Sequence, residues 1–309
     1  MGQATRRRSA TTAALLAAVI ALVACGTQVV TGKPTMEPGP AKLAPPTPAG
    51  VDAFTIAVRG DCLTWPEQRP DLSSIADCSE PHRFEVSEVV DLTGPYGPNS
   101  APPTADEIQQ LSVEHCEPAA RRYLGTKYDP NGRFTVGLAW RGERSWRATD
   151  EQRDLCGLQL AGPDGHQPMF VGRVADLDQS KVWPAGTCLG IDAARQPTDV
   201  PADCATPHAM EVTGTVDVGA GFPGGLPAEP IQDAFIKEAC VRATDAYLAP
   251  IALRATTLTV VYGPIERASW DAGSRQVACR IGAVTDTGWA TLLNSAKGAL
   301  LIDGQPPAP

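Results

Sequence analysis

Gly60-Asp61-Cys62-Leu63, followed by Asp77-Cys78-Ser79-Glu80-Pro81-His82-Arg83-Phe84-Glu85-Val86, recurs later in the chain as Gly186-Thr187-Cys188-Leu189 and Asp203-Cys204-Ala205-Thr206-Pro207-His208-Ala209-Met210-Glu211-Val212. The offset is 126 at both cysteines and at the histidine. It becomes 124 for Cys116 against Cys240 and for Trp146 against Trp270, then 123 for Cys156 against Cys279. Small loop deletions produce such a drift. A period this long exceeds any solenoid unit, so the repetition reads as a duplicated domain of about 100 residues.

Nine cysteines are present; setting aside Cys25 leaves eight, four per copy at matching spacing. An even count in an exported chain implies disulfides. Pairing confined within each copy, and alike in both, leaves three connectivities. The pairing expected is first with second and third with fourth: Cys62–Cys78, Cys116–Cys156, Cys188–Cys204 and Cys240–Cys279. Zinc is the alternative, because Cys78 with His82 and Cys204 with His208 are each four apart. Zinc sites want closely spaced ligand pairs repeated within the unit, and the oxidising compartment favours the bridge. No metal and no cofactor is therefore expected.

Periodicity supports one fold used twice. From Thr104 to Leu124, Ile108, Leu111, Cys116, Ala119 and Tyr123 share a helical face, with Asp106 and Glu107 in the first turn and Pro118 as a candidate kink. The counterpart from Pro230 to Leu248 places Phe235, Ile236, Ala239, Cys240, Ala243, Ala246 and Tyr247 on one face. Strand-like runs span 84–92, 134–140 and 155–160 in the first copy and 210–218, 257–262 and 276–284 in the second. Strands on both sides of one helix predict an α+β fold: two tandem homologous disulfide-stapled domains, each a mainly antiparallel sheet with one principal helix. The predicted boundaries are 53–162 and 176–285, with a C-terminal tail at 286–309 that forms a short helix from Gly288.

The N-terminus carries Arg6-Arg7-Arg8 and then twelve apolar residues from Ala13 to Ala24, signal-peptide length and too short to span a bilayer. The run ends in Leu22-Val23-Ala24-Cys25-Gly26, which resembles a bacterial lipobox. Residues 1–24 are thus expected to be a lipoprotein signal peptide, and Cys25 to carry a diacylglyceryl group. Two acyl chains suffice for stable anchoring. Residues 25–52 hold six prolines and few large apolar side chains, a linker unable to bury a core. Loss of residues 1–24 removes three arginines and no acids, so the formal charge falls from −9 to −12. That surface repels phosphate backbones, which excludes nucleic acid as a partner and leaves the lipid to hold the protein at the plasma membrane.

His82 with Glu85 and His208 with Glu211 are the recurring candidate binding residues. On a strand, positions three apart face opposite ways, which separates each pair, and general acid/base work needs a second group within hydrogen-bond reach. No nucleophile, HExxH, G-x-S-x-G or phosphate-cradling loop accompanies them, so no catalytic residue is assigned. Each histidine is expected to bond a turn near the disulfide, and Trp146 and Trp270 to pack against a bridge. His115 and His166 have no counterpart in the other copy.

The Gly-Asp-Cys-Leu start, the Asp-Cys-x-x-Pro-His-x-x-Glu-Val segment and the later Trp and Cys resemble the septum formation domain family of actinobacteria, over roughly residues 53–285. The second copy departs at Thr187, where the first has Asp61. The resemblance implies a membrane-attached, extracytoplasmic protein associated with cell division and without established enzymatic activity. The expectation is a non-enzymatic scaffold on the outer face of the plasma membrane, with an envelope, division-machinery or cell-wall partner. The rivals are an envelope hydrolase or transferase using His82 or His208, and a solute- or metal-capturing lipoprotein.

Overall fold

The segment that follows each Gly-x-Cys-Leu motif folds back on it. In the first half, β1 (Cys62–Thr64) pairs with β2 (Ser74–Ala76) and with β3 (Phe84–Asp91), and β3 pairs with β5 (Arg153–Leu160), which pairs with β4 (Phe134–Ala139), giving the order β2-β1-β3-β5-β4. In the second half, β6 (Cys188–Ile191), β7 (Pro197–Ala202), β8 (His208–Asp217), β9 (Thr259–Val261) and β10 (Gln276–Gly282) repeat that order as β7-β6-β8-β10-β9. Every one of these ladders is antiparallel, so the chain is α+β as its pattern predicts. This architecture comes from a computed structural model that describes residues 53–67, 72–94, 96, 97, 100–140, 146, 153–162, 166–253, 257–285 and 288–307. The signal segment 1–24, Cys25 and the linker 25–52 lie outside the described residues.

Among the described residues one principal helix packs on each sheet. In the first half Thr104 and Glu107 form a reciprocal cap, with Thr104 N–H donating to Glu107 Oε2 at 2.7 Å and Glu107 N–H to Thr104 Oγ1 at 3.3 Å. The helix runs Ala105–Leu111, widens to a π turn at Ser112–Cys116, and resumes at Glu117–Leu124. Pro118 has no N–H to return, and the widened turn just before it accommodates that loss. In the second half Glu229–Leu248 is unbroken, with Gln232, Ile236, Cys240, Thr244 and Leu248 buried at every fourth residue. Ala246, expected on the inner face, is exposed; it stands two residues, about 200° of turn, from Leu248.

Four disulfides close the two halves: Cys62–Cys78 and Cys188–Cys204 across 16 residues, Cys116–Cys156 across 40 and Cys240–Cys279 across 39. The longer bridges tie each helix to the sheet, at β5 in the first half and β10 in the second. Trp146 packs in the cluster holding Cys116 and Cys156, and Trp270 in the cluster holding Cys240 and Cys279.

The tail departs from its predicted short helix. Residues after Ala283 form β12 (Gly288–Trp289) paired with β11 (Val284–Thr285), then β13 (Leu292–Leu293) paired with β14 (Leu301–Ile302). Long-range partners take the backbone there: Leu292 bridges His208, and Asn294 N–H donates to the Cys204 carbonyl at 2.7 Å. The first half has the same closure, since Phe170 bridges His82 and Gly172 N–H donates to the Cys78 carbonyl at 2.7 Å. Each half is thus completed by a segment that follows its last long strand.

The halves are bonded to each other. The buried Asp129 carboxylate of the first half accepts from Ser269 Oγ at 2.8 Å and from Ser274 Oγ of the second, and the connecting segment is tied to the second half, where Arg275 N–H reaches Asp178 and Gln276 N–H reaches Ser180 Oγ at 3.0 Å. The described residues form one compact unit.

Candidate functional site

The repeated motif folds into the same buried cluster twice. Asp77 opens the turn, its carboxylate accepting from Ser79 N–H at 2.9 Å, and that bond holds its pKa below the usual carboxylate range. Asp203 makes the equivalent bond with Ala205 N–H at 2.9 Å. Pro81 and Pro207 then steer the chain toward the histidines. His82 Nδ1 lies 2.8 Å from the Glu80 carbonyl and His208 Nδ1 lies 2.8 Å from the Thr206 carbonyl. A carbonyl only accepts, so Nδ1 carries the proton in both rings. Both histidines are fully buried, and both Nε2 atoms lack a partner. Burial holds the His82 pKa below its ordinary value, keeping the ring neutral.

Glu85 and Glu211 are 0% exposed. An isolated buried carboxylate is costly, and each is instead satisfied by two kinds of donor. Glu85 accepts from the Tyr123 hydroxyl at 2.6 Å and from Val174 N–H at 2.8 Å. Glu211 accepts from the Tyr247 hydroxyl, from Ser295 Oγ at 2.8 Å and from Ala296 N–H at 2.6 Å. The tyrosine comes from the helix and the N–H from the closing segment, so one carboxylate on the sheet fastens both. Burial and the bond to Glu85 push the Tyr123 pKa up to about 12, and the same causes raise that of Tyr247.

The structure brings each histidine to its glutamate, against the expectation that three residues of strand would set them on opposite faces. A ring nitrogen of His82, the Cys62 Sγ and a Glu85 carboxylate oxygen lie within 4.8 Å of one another, as do the equivalent atoms of His208, Cys188 and Glu211. In the first copy Leu63 pairs with Phe84 while Arg83 N–H also donates to the Leu63 carbonyl at 2.9 Å, so two residues oppose one between His82 and Glu85. His208 lies in β8, but Leu189 pairs with Met210 and Gly190 with His208, leaving Ala209 as an extra, bulged residue. One extra residue reverses the parity of the strand. The sequence reading places Tyr123 and Tyr247, at an offset of 124, on the inner helical faces but not as partners of the glutamates, and it misses the closing backbone.

Chemically, the cluster is closed. Zinc binds thiolates, and all four sulfurs beside these histidines are joined as disulfides. With the bridges made, one free imidazole nitrogen and one carboxylate already holding its donors remain in each copy. His115 is separate from both clusters, and His166 Nδ1 lies 2.9 Å from Glu67. Asp61 accepts from Val58 N–H at 2.8 Å, a local turn bond at the position the second copy fills with Thr187.

A duplicated, disulfide-stapled α+β sheet with a buried Cys-His-Glu-Tyr cluster in each half is the class of protein this geometry defines. The family model described as septum formation matches residues 59–279, spanning both halves, and the chain belongs to that family. It is also 55% identical over 319 residues to a protein of Mycobacterium tuberculosis strain CDC 1551 and to one of strain H37Rv, each called an uncharacterized membrane protein; the match covers 98% of this chain and 71% of each relative. No solved structure matches. Among the described residues, no helix is long and apolar enough to cross a membrane.

Proposed function

We propose that this protein is a non-enzymatic, lipid-anchored scaffold on the outer face of the plasma membrane that acts in envelope or septum assembly. The observation that carries the reading is that, among the described residues, the His-Glu pair present in both copies is internal, with His82, Glu85, His208 and Glu211 at 0% exposure. Its chemistry holds helix, sheet and closing segment together, and leaves recognition to the outer surface. Family membership and the membrane-protein names of the relatives agree with this role. Cys25, through its lipobox-like context, supplies the anchor, and a division-machinery or cell-wall component is the partner.

The deciding experiment images a fluorescent fusion carrying the native signal segment in dividing cells, beside a depletion strain. Enrichment at the division site with chained or branched cells on depletion is expected. Uniform envelope signal with normal septa would refute the septal role. In parallel, Cys25→Ala is expected to move the protein out of the membrane fraction.

A further inference from the structure

Besides the two sealed clusters, the molecule has a cavity of about 370 Å³ built jointly by its halves. That volume lies within the roughly 300–1,000 Å³ of small-molecule sites. Tyr128 and Phe134 supply one wall, Trp183 from the connecting segment another, and Thr198 to Val200 of β7 close it from the second half. Both aromatic and hydrogen-bonding surfaces therefore face the same space.

Charges around the cavity are paired, with one exception. Glu117 holds Arg121 at 2.9 Å, and Asp199 lies 3.9 Å from Lys181 and 3.7 Å from Arg280. Arg133 stacks on Phe134, its guanidinium carbon 5.2 Å from the ring centroid, and its Nε is buried without a partner. Among the described residues its guanidinium makes no hydrogen bond and no ion pair. The Asp178 carboxylate acts on it electrostatically without forming an ion pair, and is itself engaged by the backbone of Ser180 at 2.9 Å and of Arg275 at 3.2 Å. A partly buried guanidinium with its donors free of protein acceptors is suited to bidentate recognition of a carboxylate or phosphate oxygen pair.

We infer that this cavity binds a small organic monocarboxylate, the carboxylate on Arg133 and the apolar body against Tyr128, Phe134 and Trp183. Arg133 is the one charged side chain lining the cavity that makes no ion pair among the described residues, and one guanidinium matches one carboxylate. A phosphate monoester would leave a second negative charge beside Glu117 and Asp199. The site exists only because the domain is duplicated: in the second half the position of Arg133 is Thr257, at the same offset of 124 that relates Val136 to Val260. It is separate from the proposed scaffold role, and neither depends on the other.

The test is a titration of the full chain in detergent with phenylacetate, phenylacetamide and phenylphosphate, followed by the NMR signal of the Trp183 indole N–H, assigned through Trp183→Phe. Phenylacetate should shift that signal saturably and bind at least about tenfold more tightly than phenylacetamide, the worth of about one charge-assisted hydrogen bond. Phenylphosphate should bind no better than phenylacetate. Arg133→Gln should remove the preference for the anion, and Arg133→Lys should restore part of it. No saturable shift, equal binding of phenylacetamide, tighter binding of phenylphosphate, or an unchanged phenylacetate affinity in Arg133→Gln would each overturn the inference. The three-probe comparison on the unaltered protein decides the question even where a variant fails to fold.

Discussion

The two halves solve one problem with different closing segments. Each must fasten a helix and a returning chain to a buried carboxylate, and each uses the same cysteines, histidine, glutamate and tyrosine on the sheet and helix side. The returning chains share little sequence. Phe170-Val171-Gly172-Arg173-Val174 stands where Leu292-Leu293-Asn294-Ser295-Ala296 does. Gly172 at φ +95° and Asn294 at φ +64° both take the left-handed conformation, which those two residue types tolerate best. Arg173 reaches the Gly60 carbonyl at 2.8 Å, whereas Ser295 turns inward to Glu211. The anchor is specified by side chains, and the segment that meets it by backbone conformation.

Removing the long bridges is the severest way to break this likeness. Cys116→Ser/Cys156→Ser and Cys240→Ser/Cys279→Ser open loops that the native bridges close across 40 and 39 residues, and each pair should cost about 4 kcal/mol by chain entropy. Urea unfolding should show equal losses; a large inequality would mean that the halves lean on their staples differently. Next, Glu85→Ala should cost about 3 kcal/mol by stranding two donors, and Glu211→Ala about 1 kcal/mol more because Ser295 is stranded as well. Equal costs would show that the Ser295 bond adds nothing.

Alkaline titration sharpens the comparison further. A tyrosine whose folded pKa is raised contributes stability that is complete below its unfolded value of 10.0 and is lost as pH rises through the folded value, about 12 for Tyr123. Stability should therefore fall from about pH 10 upward, and Tyr123→Phe with Tyr247→Phe should flatten that fall; an unaltered slope would place the titrating groups elsewhere. On the acid side His82 is held below its ordinary 6.5, so the unfolded chain takes up the proton first and stability should drop as pH falls below that value. His82→Asn should reduce the drop. The smallest effects belong to the closing turn. Gly172→Ala should cost about 1–2 kcal/mol by forcing a β-carbon into left-handed backbone, while Asn294→Gly should cost less than about 1 kcal/mol, mainly through loss of its side-chain bond to the Ala299 carbonyl at 3.1 Å.

Much of this architecture is legible in the residues because it is written as side-chain chemistry at fixed spacing. The duplication, the α+β class, the helices carrying Cys116 and Cys240 and the burial of Trp146 and Trp270 all follow from offsets and periodicity, which depend on local geometry. The partnership of His208 with Glu211 does not, because a single bulged residue, Ala209, reverses the strand's alternation and leaves no compositional trace. The closing segments are equally silent, since a backbone N–H from Val174 or Ala296 is available from nearly any residue type.

By itself, then, the sequence determined the repeat and its α+β class, and singled out His82, Glu85, His208 and Glu211 as the recurring polar residues. Only the tertiary structure decided that His and Glu face one another, that the tail is sheet rather than helix, and that a cavity with an unpaired Arg133 opens between the halves. The physical reason is range: propensity and pattern act over a few residues, whereas these features arise from hydrogen bonds and packing between segments tens of residues apart.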